Sequence, residues 1–134
     1  MPQDPILYSE SELLLARTVR EYADNVLAPR AAAIDQTEEF PWENFRGLAD
    51  LGLLGVGIPE AYGGSAGGFR ESSIATEEIA RACASTSVIY GAHLSLASQT
   101  IARFGTEEQK QRYLPPLTRA DQVASFCLTE PGAC

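Results

Sequence analysis

The stretch SVIYGAHLSLASQTIARF, residues 87–104, has apolar side chains on almost every side of the helix that it would form. Gly105 follows it and would end that helix. A helix that is apolar around most of its circumference is typical of the centre of a helical domain. The apolar residues of the stretch are Val88, Ile89, Ala92, Leu94, Leu96, Ala97, Ile101 and Phe104. The stretch therefore predicts an all-α domain with this helix buried at its centre.

The first helix is indicated by a start signal and a periodic stripe. Ser9 and Glu12 have the spacing of a capping box, in which each side chain binds a backbone N–H at the helix start. Apolar residues then recur every three or four positions from Leu15 to Val26. Pro29 is expected to end this helix, because proline disrupts a helix interior.

Three further helices follow from similar signals. One is expected over residues 41–52, since the fixed φ of Pro41 suits a first helical position and Gly52 can cap the far end. Another is expected over residues 72–84. A third opens at the capping box of Thr106 and Gln109 and should stop at Pro115-Pro116.

The character of the chain changes after Asp121. Residues 123–129, VASFCLT, are β-prone and lack a helical stripe. We therefore expect a helical domain over residues 1–121, in an up-and-down arrangement, and the first strand of an incomplete β domain over residues 122–134.

Length and charge narrow the class of protein. The chain has 134 residues, enough for about one domain. Its formal charge of −8 disfavours nucleic acid and anionic membrane surfaces as partners. No signal peptide or run of about 18 apolar residues is visible, so we expect no membrane span. The three scattered cysteines suggest reduced thiols in a cytoplasmic protein and no metal site.

Isolated residues give weak signals for chemistry. Gly63 to Gly68 has the spacing of a phosphate-binding loop but lacks its Lys-Ser or Lys-Thr, so a structural turn is favoured over a nucleotide site. His93 has no second histidine or nearby acid, which favours a packed or water-bonded side chain. The pairs Glu77-Glu78 and Glu107-Glu108 are interpreted as solvated surface and helix-start charge. Cys127 is interpreted as a buried structural thiol.

Three longer motifs together resemble one family. LGLLGVGIPEAYGG (51–64) resembles the "LGLLG…PE.YGG" segment of the acyl-CoA dehydrogenases. FGTEEQKQRYLPPL (104–117) is similar to their "GTEEQK..YLP.L" stretch, and FCLTEPGA (126–133) to the start of the flavin motif "LTEPGAGSD". Their order and spacing agree with the family from about Leu13 to Ala133.

The resemblance implies a fold and an activity. Family members have an N-terminal helical domain, a middle β domain and a C-terminal bundle, and this sequence would be the first plus the start of the second. They use FAD to remove an α-proton and a β-hydride from an acyl-CoA thioester. The implied partners are the acyl-CoA substrate, an electron-transfer flavoprotein, and further copies of the chain or a C-terminal partner chain.

The resemblance also implies site residues. The flavin ring would lie against Phe126, Cys127, Leu128 and Thr129, with backbone groups and the Thr129 hydroxyl bonding to the ring edge. Ile89, Ala92 and Leu96 could line the acyl tunnel, although core packing accounts for them equally well. Cys134 replaces the glycine of the family motif, and no catalytic residue is expected here, since the family's glutamate base lies in the C-terminal part.

Two alternatives to a dehydrogenase remain open at this point. One is a helical interaction module, or a split-enzyme subunit, without flavin chemistry of its own. The other is an acyl-CoA oxidase or related flavin oxygenase, because those enzymes share the same motifs. On either flavoenzyme interpretation, we expect this chain alone to be inactive.

Overall fold

The computed structural model describes residues 8–65 and 67–132, and its regular structure is helical. Seven α-helices are found in these residues. A π-helical segment joins α1 to α2, and another joins α5 to α6. Two short 3₁₀ turns lie between α3 and α4. In chain order they are α1 (Glu10–Tyr22), the π segment Ala23–Leu27, α2 (Ala28–Thr37), α3 (Trp42–Asp50), the 3₁₀ turns Leu53–Gly55 and Glu60–Tyr62, α4 (Phe69–Ala82), α5 (Ala84–Gly91), the π segment Ala92–Ser98, α6 (Gln99–Phe104) and α7 (Glu107–Thr118). The predicted all-α class is confirmed.

The helix starts follow the local sequence signals. Ser9 and Thr106 each accept a hydrogen bond from the backbone three residues on, and Glu12 and Gln109 return the reciprocal bond. Both capping boxes are therefore confirmed. α3 begins at Trp42, so Pro41 lies at the N-cap, one position before the first helical residue that was predicted for it.

The predicted helix ends at proline are wrong. The first helix continues beyond Pro29 into α2 through the π segment Ala23–Leu27, where the Ala28 N–H bonds to the Ala23 carbonyl five residues back. In an ordinary α-helix, the ring of Pro29 would clash with the carbonyl four residues before it. The wider π-helical turn lies at this point in the chain and makes room for the ring. α7 likewise runs through Pro115 and Pro116, and the carbonyls that lose a donor belong to exposed residues, where water can bind them.

The helix over residues 84–104, made of α5, the π segment and α6, buries one side and exposes the other. Its buried side includes Tyr90, His93 and Leu94, which have at most 1% of their surface exposed. Its opposite side exposes Val88 by 72% and Phe104 by 82%. The prediction that this helix is buried all round is therefore wrong for these residues, because the described part of the chain packs against only one of its faces.

An ion pair connects α1 to α4 in the interior. Arg20 donates to both carboxylate oxygens of Glu78, at 2.7 and 3.0 Å, and Glu78 is only 1% exposed. The interpretation of Glu78 as a solvated surface charge is thus wrong. A second pair joins the same two helices, from Arg70 to Glu12, and the hydrogen bond from Arg70 is the main reason that the Glu12 pKa falls to about 2.

The segment after α7 forms no strand in the part of the chain that the structure describes. Residues 123–129 carry no regular secondary structure, and all but Ala124 are exposed. A strand needs a neighbouring strand for its backbone hydrogen bonds, and the described residues supply none beside this segment. The predicted boundary between a helical domain 1–121 and a β domain from residue 122 stays a prediction.

We predict that Arg20→Met destabilises the fold by about 3 kcal/mol, because it leaves the Glu78 carboxylate buried with a weaker partner. Arg81 approaches Glu78 only at 3.5 Å and is half-exposed. The matched control is Arg30→Met, which removes an exposed pair with Glu43 and should cost less than about 1 kcal/mol. Urea unfolding followed by circular dichroism measures both, and equal losses would contradict a structural role for the buried pair.

Candidate functional site

The strongest sequence motif falls on the exposed segment after α7. Phe126 and Leu128 expose 47% and 74% of their surface, and Thr129 is exposed as well. Apolar side chains and backbone groups are thus presented to the outside along one short stretch. Ala133 and Cys134, the last residues of the motif, lie outside the described residues.

Cys127 is exposed, so its interpretation as a buried thiol is wrong. Burial would require a layer over residues 126–129 that the described residues do not provide. Cys83 is the buried thiol instead, and it accepts a hydrogen bond from the Thr86 hydroxyl at 3.2 Å.

The start of this segment is held by His93, which sequence reasoning treated as a packed residue without a role. The ring is fully buried and meets the Phe45 ring edge-on at 4.9 Å between centroids. Its Nδ1 accepts from the Ala124 N–H and its Nε2 bonds to the Leu117 carbonyl, each at 3.1 Å. Burial lowers the pKa of His93, against a smaller opposing effect of the bond to Leu117. The prediction of a packed histidine is confirmed, with backbone groups as its partners.

The three predicted acyl-contact residues lie on the helix over residues 84–104 but do not meet in one cavity. Ile89 is partly buried against the core and borders a shallow groove with Ile34 and Phe40. Ala92 is partly buried, and Leu96 is 50% exposed. Their assignment to a substrate stays a prediction.

A groove that the sequence did not predict lies between the glycine loop and α6. Its volume is about 200 Å³, and Phe69 and Phe104 form its exposed apolar walls. The Arg103 guanidinium lies 5.6 Å from the centre of the Phe69 ring. The two aromatic residues are 35 positions apart in the chain, so only the fold could show that they share a groove.

The glycine loop is a tight turn packed against the preceding chain. Val56 and Ser65 form an isolated parallel bridge, and the Ser65 N–H donates to the Gly55 carbonyl at 2.9 Å. A Cβ at Gly64 would overlap the carbonyl of Ile58, so this position needs glycine for close approach. The geometry supports the structural interpretation of the loop.

The described residues hold neither a cluster of metal-binding side chains nor a helix suited to a bilayer. Among residues 8–65 and 67–132, no three His, Cys, Asp or Glu side chains gather closely enough to hold a metal ion. Within the same residues, no helix has the length and apolar character needed to cross a bilayer.

The helical fold of the described residues is that of the N-terminal domain of a known enzyme family. Residues 9–121 match the family model described as acyl-CoA dehydrogenase, N-terminal domain. The chain belongs to the acyl-CoA dehydrogenase family, which confirms the resemblance found in the sequence.

Curated relatives share this part of the sequence. The short-chain specific acyl-CoA dehydrogenase of Clostridium acetobutylicum is 43% identical over 120 residues, covering 90% of this chain and 32% of the relative. The acryloyl-CoA reductase (NADH) of Anaerotignum propionicum is also 43% identical over 120 residues, covering 90% of this chain and 30% of the relative. The chain thus spans about a third of the length of these relatives.

Solved structures share the fold. The acyl-CoA dehydrogenase of Bacillus anthracis, crystallised in complex with FAD, matches with a TM-score of 0.88 and 33% identity, covering 100% of this chain and 22% of that one. A structure of the electron transferring flavoprotein of Acidaminococcus fermentans contains a chain that matches with a TM-score of 0.88 and 31% identity, covering 99% of this chain and 34% of that one.

We predict that Gly64→Ala destabilises the domain by about 1–3 kcal/mol, because the new methyl group would have to displace the Ile58 backbone. Gly68→Ala is the matched control, since a Cβ at Gly68 meets nothing within 4 Å and its φ of −162° is open to any residue. Thermal unfolding compares the two. If Gly64→Ala were as stable as Gly68→Ala, the loop would not be the packed turn described here.

Proposed function

We propose that this chain contributes the N-terminal helical domain of an FAD-dependent acyl-CoA dehydrogenase, which oxidises the Cα–Cβ bond of an acyl-CoA thioester in fatty-acid or branched-chain acyl catabolism. The match of residues 9–121 to the N-terminal domain of that family carries the proposal. The FAD complex of the Bacillus anthracis relative, with the same fold over this whole chain, supports the choice of cofactor.

The exposed segment fits one edge of a flavin ring. A planar ring needs hydrogen-bonding groups at its edge and apolar surface against its face, and residues 126–129 offer both outside the helical core. The Thr129 hydroxyl and nearby backbone groups would bind and orient the ring edge, while Phe126, Cys127 and Leu128 would keep water from it. When bound, FAD supplies the acceptor for the hydride that leaves the acyl β-carbon.

The outer face of the helix over residues 84–104 is the proposed contact for the acyl chain. Leu96 is half-exposed there, and Ile89 and Ala92 are partly buried on the same helix. Apolar side chains of this kind favour a fatty-acyl group over a polar substrate. We assign these residues a binding role, and no catalytic residue is proposed within this chain.

We propose that the enzyme oxidises its acyl-CoA substrate, because most of the similar proteins are named as dehydrogenases. The Clostridium acetobutylicum relative and a relative from Homo sapiens are named as dehydrogenases, whereas the Anaerotignum propionicum relative is named as a reductase of acryloyl-CoA. Both names describe chemistry at the Cα–Cβ bond of an acyl-CoA. Oxidation with an electron-transfer flavoprotein as acceptor is the function that we favour.

Two further features complete the proposal. We place the protein in the cytoplasm, which the free thiols of Cys83 and Cys127 support. We also propose that other parts of the enzyme, either in further copies of the chain or in a partner chain, cover the exposed side chains of Val88, Leu96 and Phe104.

A chimera tests the function. Residues 9–132 would replace the matching region of the Clostridium acetobutylicum relative, and butyryl-CoA would be mixed with the purified protein. We predict that the chimera retains FAD and that butyryl-CoA bleaches its absorbance. In this chimera, Thr129→Val should slow bleaching by roughly 10- to 150-fold, because a bond to a group that gains charge contributes about 1.5–3 kcal/mol.

Thr18→Val is the control, since Thr18 is exposed on α1 and far along the chain from the segment. It should bleach at the rate of the unmodified chimera. A chimera that folds by circular dichroism but retains no FAD would contradict the proposed function and favour an interaction module. If the chimera carrying Thr129→Val is bleached as fast as the unmodified chimera, the proposed function stands and the proposed role of Thr129 is wrong. Reoxidation by oxygen as fast as reduction would favour an oxidase.

A further inference from the structure

One imidazole ring connects three parts of the molecule. His93 belongs to the π segment Ala92–Ser98, at the centre of the helix over residues 84–104. Its Nε2 reaches the Leu117 carbonyl near the end of α7, and its Nδ1 reaches the Ala124 amide at the start of the exposed segment, each at 3.1 Å. Phe45 of α3 closes over the ring edge-on.

The two hydrogen bonds specify one form of the ring. A backbone N–H can only donate and a backbone carbonyl can only accept, so Nδ1 must carry no proton and Nε2 must carry one. This is a neutral tautomer. A proton added to Nδ1 would place two donors against each other at the Ala124 contact.

The surroundings of the ring favour the neutral form. Burial lowers the pKa of His93 below its ordinary value, and the bond to the Leu117 carbonyl opposes this only in part. Among the described residues, no charged side chain contributes to this shift. The charged residues between Leu117 and Ala124 are Arg119 and Asp121, which pair with each other and are both exposed.

The bond to Ala124 is also the tether of the segment. Among the described residues, no other hydrogen bond joins residues 123–129 to the helices. These residues carry no regular secondary structure of their own. The chain before them is held by backbone bonds from Asp121 and Gln122 to the Pro116 carbonyl, at 3.0 and 3.3 Å. Beyond Gln122, the acceptor at Nδ1 is the hydrogen-bonding contact that fixes the segment among the described residues.

We propose that His93 is a positioning residue: its neutral imidazole holds the segment 123–129 against the helical core, and a proton on Nδ1 releases that segment. The inference deepens the proposed function, because residues 126–129 are the proposed contacts of the flavin. The effect of His93 on flavin binding rests on the proposed function. The hydrogen bond that tethers the segment to His93 does not depend on it.

Nuclear magnetic resonance of the ¹⁵N-labelled chain tests the tether directly. The ring-nitrogen shifts of His93 should show the Nε2–H tautomer at pH 8. The solvent exchange of the Ala124 amide, corrected for its intrinsic pH dependence, should be slowed above pH 6.5. Because burial lowers the pKa of His93 below its ordinary value, protection should be present at neutral pH and be lost as the ring takes up a proton at lower pH. The ring-nitrogen shifts report that protonation in the same titration.

Two variants separate positioning from packing. In His93→Asn, the side-chain oxygen takes the place of Nδ1 and does not titrate, so Ala124 should stay protected through the pH range in which the ring of the unmodified chain titrates. His93→Phe keeps an aromatic ring but removes the acceptor, so Ala124 should exchange about twofold to tenfold faster at pH 8. The buried Leu114 amide of α7 serves as the internal reference in each protein.

An Nδ1–H tautomer in the unmodified chain, or unchanged Ala124 exchange in His93→Phe, would overturn the proposal. If His93→Phe does not fold, the tautomer and the pH profile of His93→Asn decide. Loss of Ala124 protection in His93→Asn over the pH range in which the ring of the unmodified chain titrates would overturn the proposal. None of these measurements involves FAD, so their failure is distinguishable from the failure of the flavin chimera.

Discussion

The rest of the structure depends on a row of buried and partly buried polar side chains along one face of the helix over residues 84–104. Pairing matters on this face, because an unpaired buried polar group costs about 1–3 kcal/mol. Among the described residues, the Ser98 hydroxyl and the side-chain oxygen of Asn44 are buried without a partner. The partners of the other groups come from α3, the turn at Leu53, the chain at Val56 and α7, so the bonds fix how these elements pack against the helix. The bonds are Thr86 with Asn44 at 3.1 Å, Tyr90 with the Leu53 carbonyl at 3.3 Å, His93 with the Leu117 carbonyl at 3.1 Å and Gln99 with the Val56 carbonyl at 3.1 Å.

The same helix links the fold to the proposed function through its two sides. Its inner side fixes the surrounding helices and, through His93, the start of the exposed segment. Its outer side carries Leu96 and the other proposed acyl contacts. A small shift of this helix would therefore move both the proposed flavin contacts and the acyl surface together.

Local signals in the sequence predicted local structure, and contacts between distant residues decided the rest. The capping boxes at Ser9 and Thr106 depend on residues three positions apart, so their outcome was readable from the sequence. Pro29 was misjudged because a π-helical turn accommodates it within tertiary packing. Glu78 was wrongly predicted to be solvated, because its partner Arg20 lies 58 residues away in the chain. His93 was predicted to be packed but its partners were not foreseen, because they lie 24 and 31 residues away. The change of character after Asp121 was readable from the residues, whereas the predicted strand and the burial of Cys127 both required a neighbouring layer that the described residues do not supply.

Native-state hydrogen exchange in rising urea tests most directly whether the inner face of the helix over residues 84–104 organises the domain. The amides of Tyr90, His93 and Leu94 should exchange only through global unfolding, with the same free energy of opening as the buried Leu114 amide of α7. Exchange of the three amides through local opening, at a free energy well below that of Leu114, would show that the other helices hold together without this face and would contradict the account.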